Sequence, residues 1–187
     1  MAYNRILLPV DGSEHSMHAV AHAVSLVREG GEIVVATVLP PIPNVIGGDA
    51  PKEAEEAVKN DASLITQPVM DVIAKDNIAC REKIVLHTST AEGIIETAED
   101  MKCDLIVMGS RGQSLWKSLF LGSVSNAVLA ESKRPLLLLR DEVPKTGDRL
   151  RVGIAVDGSA YGEAATDYVL AHKDFFGADP DFRVLHV

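Results

Sequence analysis

The sequence predicts an α/β fold, an open doubly wound and mostly parallel five-stranded sheet with helices on both faces. Three observations predict it. Short aliphatic runs alternate with helix-spaced segments from the first residues onward. Aromatics are only 4% of the chain while Val, Ile, Leu and Ala dominate, which suits parallel strands buried on both faces. The 187 residues, 47% of them hydrophobic, can fill a core without disulfide or metal staples.

The elements follow in order. Arg5 to Val10 is an aliphatic strand running into Asp11-Gly12-Ser13. From Ser13 the apolar residues fall at 19, 20, 23, 24, 26 and 27, a helical spacing that stops at Gly30-Gly31. Glu32 to Leu39 reads as a second strand, and Pro40, Pro41, Pro43 and Gly47-Gly48 as an irregular loop. Lys52 to about Lys75 is a helix that Pro68 should kink or split. Lys83 to His87, Leu105 to Met108 and Pro135 to Arg140 are three more strands, with helices at Ala91 to Met101 and Ser123 to Glu131 between them. This alternation requires right-handed crossovers. Ligands of such sheets sit at the carboxyl ends of the strands, where the strand order reverses.

The opening pattern then returns. Arg151 to Ser159 repeats the run from Arg5 to Ser13, ending again in Asp-Gly-Ser, after a polar stretch holding Pro144 and Gly147. The expected organisation is a domain over 1–143, a linker over 144–149 and a βαβ half-domain over 150–187. A lone βαβ unit cannot cover both faces of its sheet, so the half-domain needs a partner surface.

The formal net charge is −9, and no region gathers the basic residues of a nucleic-acid footprint. No apolar run is long enough to span a membrane, and the amino terminus lacks a signal-peptide core. Cys80 and Cys103 form no disulfide framework. A cytoplasmic setting, with no DNA, RNA or membrane partner, is the expectation.

The strongest local signal is Gly109-Ser110-Arg111-Gly112, then nine residues, then Gly122-Ser123-Val124-Ser125, between a buried strand and a helix. Glycine lets backbone amides approach a phosphate. A helix N-terminus adds free N–H groups and a favourable dipole, and Ser123 and Ser125 add hydroxyls. The same spacing also suits a tight surface turn ahead of a serine-capped helix.

The full constellation resembles the universal stress protein family, in its nucleotide-binding branch. The family's G-x2-G-x9-G-[S/T] segment is matched at Gly109, Gly112, Gly122 and Ser123. The run Asp104-Leu-Ile-Val-Met-Gly-Ser and the opening Pro-Val-Asp-Gly-Ser are similar to family hallmarks too. The resemblance covers residues 3 to 140 as a domain and 150 to 187 as an incomplete second one. It implies strand order 3-2-1-4-5 and one ATP, with or without Mg2+, whose phosphates and ribose the glycine segment holds. It also implies that Pro9, Val10 and Asp11 line the adenine and ribose side and that Val38 touches the base. Met108, Ser110, Val124 and Ser125 would complete the pocket. Many relatives carry a glycine, a small residue and a proline after strand three. Thr88-Ser89-Thr90 stands there in this chain, which would crowd the base pocket or add polar contacts.

Other residues carry two readings each. Asp11 meets the ribose or a metal, or caps the first helix with Ser13. His15, His18 and His22 share a helical stripe that is a metal-binding face or an exposed polar one. Arg111 and Lys117 reach phosphates or are solvated loop charges. Cys103 is a buried small hydrophobe, and Trp116 packs the glycine loop or a dimer surface. Three functions follow: a nucleotide-dependent stress or signalling switch with an unidentified signalling partner, a slow ATPase or phosphotransferase, and a dimeric module without nucleotide. Relatives commonly pair through the last strand, so a homodimer through strand five, the half-domain or both is expected. The chain lacks G-x-x-x-x-G-K-[S/T], which sets the enzyme reading second.

Overall fold

The structure, a computed structural model, describes residues 3–42, 52–110, 121–140 and 149–187. The chain divides into two compact units, residues 2–141 and 142–187.

In the first unit the elements are β1 (Tyr3–Pro9), α1 (Glu14–Leu26), β2 (Val27–Leu39), α2 (Lys52–Ala74), β3 (Ala79–Leu86), α3 (Thr90–Asp100), β4 (Leu105–Gly109), α4 (Ser123–Glu131) and β5 (Leu136–Leu139). All strand pairs are parallel, in the order β3-β2-β1-β4-β5. The reversal therefore lies between β1 and β4, as the resemblance implied. Side chains alternate across the sheet. Leu7, Val34, Ala36, Ile106 and Met108 pack with Ala91, Ile94 and Ala98 of α3 and Val128 of α4. Their neighbours Ile6, Leu8, Ile33 and Val35 are equally buried on the opposite face, where α1 and α2 contact the strands.

Polar groups fix the register at the edge where the strands begin. The Asp104 carboxylate accepts hydrogen bonds from the backbone N–H of Asn4 at 2.7 Å and of Arg5 at 3.1 Å, joining β1 to the start of β4. Glu32 on β2 pairs with Arg5 Nε on β1 at 2.7 Å and with Arg81 Nε on β3 at 2.9 Å.

Three expectations are corrected. Gly30-Gly31 does not stop the first helix: α1 ends at Leu26, and both glycines lie inside β2. Tyr3 pairs with Val27 but Arg5 with Glu32, so β2 carries extra residues as a bulge. A Cβ on Gly31 would come within 2.8 Å of the Asn4 carbonyl oxygen, and Gly30 has φ +73°, so the irregularity needs glycine at both places. Pro68 does not split α2, which continues to Ala74. The amide that Pro68 lacks would serve the carbonyl of Leu64, whose side chain is 78% exposed, on the side where water can take its place. The third strand also begins earlier than its aliphatic run, at Ala79, because pairing with Glu32 of β2 extends it.

The second unit contains β6 (Arg151–Val156), α5 (Ala160–Ala171), a 3₁₀ turn at Lys173–Phe176 and β7 (Asp181–His186). Its two strands pair in parallel from Arg151 with Asp181 to Val156 with His186. Edge-to-face contacts of Phe176 with Phe175 and Phe182 close one end. Val184 and Leu185 on β7 are exposed.

Candidate functional site

A cavity of about 430 Å³ opens at the carboxyl end of the sheet in the first unit. Pro9, Val10 and Asp11 after β1, Ala36 to Leu39 of β2, and Met108 and Gly109 of β4 form its floor. Gly122 to Ser125 at the start of α4 form one end. Ser16 of α1, Ile65 of α2, and Thr90 and Ile94 of α3 complete the walls. The cavity thus spans the switch point between β1 and β4.

The α4 end is built to present amides. Gly122 is the N-cap and makes no side-chain cap hydrogen bond. Asn126 N–H is the first to bond back, to the Gly122 carbonyl at 2.9 Å, so the N–H groups of the first turn have no intrahelical acceptor. The same end carries the positive pole of the helix dipole. Its position is fixed to β4: Ser125 Oγ, buried, donates to the Gly109 carbonyl at 3.1 Å. Gly122 N–H donates to Ser110 O at 2.9 Å, and Ser110 N–H to Leu139 O at 2.7 Å.

Asp11 is the one carboxylate on the wall among the described residues. Its Oδ1 accepts from Ser13 N–H at 3.0 Å and from Ser13 Oγ at 2.6 Å. Ser13 in turn caps α1, accepting from Ser16 N–H. Asp11 therefore organises the turn rather than capping the helix itself, and it still faces the cavity. The turn is built a second time in the other unit. Ser159 N–H and Oγ donate to Asp157 Oδ1 at 2.9 and 2.6 Å, and Gly12 and Gly158 have φ of 78° and 76°. The hydrogen bonds from Ser159 hold the Asp157 carboxyl below its ordinary range.

At the β2 end, Val38 packs against α3, and the turn after β3 supplies one wall. Of Thr88, Ser89 and Thr90, only Thr90 lines the cavity. Ser89 is the N-cap of α3, its hydroxyl accepting from Glu92 N–H, and His87 Nδ1 accepts from Ser89 N–H at 3.0 Å. This departure from the family pattern is thus partly a helix start.

Of the residues expected at the site, Pro9, Val10, Asp11, Val38, Met108, Gly109, Gly122, Ser123, Val124 and Ser125 share the cavity. Ser110 is buried but is not among its walls. Arg111, Gly112, Trp116 and Lys117 lie outside the described residues. Ser16, Thr37 and Ile65 were missed. Ser16 was legible as the first inward position after the Asp-Gly-Ser turn, and Thr37 as a polar residue within an apolar strand. Ile65 carried no signal, because only packing brings α2 over the end of β2.

The remaining candidates resolve simply. His15 and His18 meet edge to face with centroids 6.5 Å apart, and His22 Nε2 is buried without a hydrogen-bond partner. No group of three His, Cys, Asp or Glu among the described residues is arranged to hold a metal ion. Burial pushes the Cys80 and Cys103 thiols up to about 11, so both stay protonated and poorly nucleophilic at neutral pH. A second hollow, about 390 Å³, lies beside the Asp157 turn and carries the carboxylates Glu163 and Asp167 on its wall. No helix among the described residues is long and apolar enough to cross a membrane.

The model of the universal stress protein family matches residues 2–140. A universal stress protein of Thermus aquaticus is 34% identical over 139 residues, 74% of this chain and 99% of its own length. A universal stress protein solved in complex with cAMP shares the fold, with a TM-score of 0.56 at 22% identity over 76% of this chain and 100% of that one. A universal stress protein from Archaeoglobus fulgidus DSM 4304 has a TM-score of 0.70 at 24% identity, covering 98% of this chain and 66% of that one.

Proposed function

Because this chain belongs to the universal stress protein family, we propose that its first unit binds one adenine nucleotide, ATP by preference, as a switch rather than as a fast enzyme. One observation carries the reading: a single cavity joins the uncapped amides of α4 to the ends of β1 and β2. Its volume falls within the ordinary range for small-molecule sites, roughly 300–1,000 Å³. The phosphates would lie on the α4 amides, that of Ser125 included, with the Ser123 hydroxyl, while the Ser125 hydroxyl stays on the Gly109 carbonyl. The ribose would lie over Asp11 and the base over β2. Ser110, Arg111 and Gly112 would continue the phosphate loop. Asp11 would hold ribose hydroxyls or, where Mg2+ accompanies the phosphates, that ion. The solved relative in complex with cAMP supports the adenine class.

Residues 150–187 are, in this reading, an incomplete second repeat that takes no nucleotide. The repeated Asp-Gly-Ser turn supports the repeat. Glu163 and Asp167 beside that turn would repel a phosphate. A homodimer through β5, the half-domain or both, an unidentified signalling partner and a cytoplasmic setting complete the proposal. The two free cysteines fit a reducing compartment.

Calorimetric titration with ATP, alone and with Mg2+, tests the site. Saturable binding with a Kd on the order of micromolar is expected, about −8 kcal/mol. Gly122→Val, which puts a branched side chain at the α4 end, should abolish it. No heat at millimolar ATP would leave the dimeric module as the better reading. Phosphate release well above background at saturation would favour the slow ATPase.

A further inference from the structure

Six polar side chains are buried among the described residues: Ser16, Thr37, Thr66, Thr97, Ser110 and Ser125. Four spend their hydroxyl on a backbone carbonyl. Ser16 donates to Ser13 O at 2.7 Å, Thr66 to Ala62 O at 3.0 Å, Thr97 to Gly93 O at 2.6 Å and Ser125 to Gly109 O at 3.1 Å. Ser110 makes no such bond among the described residues, and its chain neighbour Arg111 lies outside them. Thr37 is different: it is 2% exposed, sits in the middle of described structure, and lines the cavity. Its Oγ1 has no hydrogen-bond partner among the described residues. Among the described residues His22 Nε2 alone is a sealed polar atom without a partner, so the Thr37 hydroxyl opens on the cavity that the residue lines, where a ligand or a bound water can complete it.

The fold says which part of a ligand it meets. β2 lies two strands from β4, whose end leads into the α4 amides. Two inter-strand spacings amount to roughly 10 Å, comparable to the reach of a nucleoside monophosphate from phosphate to base. Val38 packs toward Gly93 of α3, so by alternation Thr37 belongs to the other face. Ser16 and Ile65, from the helices on that face, are also cavity walls.

We infer that Thr37 reads the base, its hydroxyl making a hydrogen bond to a polar edge atom of the heterocycle of a bound adenine nucleotide. This rests on the nucleotide reading of the cavity. A threonine hydroxyl both donates and accepts, so it serves a ring nitrogen or an exocyclic amine equally. Ile65 and Leu39 beside it are apolar and supply the surface on which a flat heterocycle lies.

The isosteric variant Thr37→Val tests this, with Thr37→Ser as the conservative variant that keeps the hydroxyl. The full chain is titrated with AMP by calorimetry and with ribose 5-phosphate by ligand-observed NMR. Thr37→Val is expected to weaken AMP about three- to tenfold, the worth of one net hydrogen bond, and to leave ribose 5-phosphate unchanged. Thr37→Ser should hold AMP affinity within about twofold of wild type. Ligand-free Thr37→Val should melt no lower than wild type, since no protein bond is lost, whereas Thr97→Val, which loses its bond to Gly93, should melt lower. Equal AMP affinity in wild type and Thr37→Val would overturn the inference. So would an equal loss for both ligands, which would make Thr37 a structural residue. A wild-type protein that binds AMP in neither buffer nor Mg2+ would remove the nucleotide reading itself, a separate outcome visible before any variant is made.

Discussion

Gly93 of α3 and Val38 of β2 are in such close approach that a Cβ on Gly93 would lie 3.0 Å from Val38 Cγ1. The same atom would lie 3.1 Å from His87 Cβ and 3.3 Å from Val85 Cγ1. Val38 and Val85 are β-branched and stiff at χ1, so neither gives way cheaply. The helix is thereby seated on the sheet beside the cavity that Val38 lines.

Gly93→Ala should therefore destabilise. The gain in helix propensity, about 1 kcal/mol, is outweighed by overpacking at ~1–3 kcal/mol. A net loss of about 1 kcal/mol is expected, or a fall in Tm of roughly 2–5 °C, together with weaker ATP binding through the displaced Val38. Thermal unfolding and titration read both. A variant that melts above wild type would show that the neighbours yield.

His22 gives a pH dependence. Burial holds its imidazole below the ordinary 6.5, so the folded state disfavours the protonated ring. As pH falls through 6.5 the unfolded chain takes up the proton first. This contribution to stability is full above that pH and is lost progressively below it, until the folded-state value is passed. Denaturant unfolding at pH 7, 6 and 5 should show a shallower acid loss for His22→Gln than for wild type. Parallel slopes would count against it.

The described walls of the cavity run from Pro9 to Ser125, all within the first unit. A chain ending at residue 143 should keep ATP affinity within about twofold, the additivity expected of independent sites. Sedimentation should show the proposed homodimer weakened relative to the full chain, because the half-domain is absent. Lost ATP binding would put part of the site in residues 144–187. An unchanged dimer would assign association to the first unit alone.

Much of this was legible before the structure. Alternating aliphatic and helical periods located the strands and helices, and the segment from Gly109 to Ser125 together with the family resemblance named ten residues that share one cavity. Failures came where local signals compete with pairing. Gly30-Gly31 has the composition of a helix stop, yet Val27 is claimed by Tyr3 across the sheet, and the glycines absorb the resulting bulge. Pro68 should kink or split a helix, and α2 is not split: it continues to Ala74, the carbonyl left without a donor belonging to a residue open to solvent. Thr88-Ser89-Thr90 were expected to crowd the base pocket or add polar contacts; Thr90 does line the cavity, while Ser89 caps α3.

The sequence by itself determined what depends on neighbours along the chain. Those features are the strand and helix periods, the Asp-Gly-Ser turn made twice, and a glycine-flanked helix start with bare amides, each set by local sterics and hydrogen bonding. Tertiary structure alone decided what faces what. The parallel order β3-β2-β1-β4-β5 carries Thr37 of β2 to one end of the cavity and Ser125 of α4 to the other. It also brings Ile65 over the end of β2. These are contacts between residues far apart in the chain, fixed by crossovers and side-chain packing rather than by any local pattern.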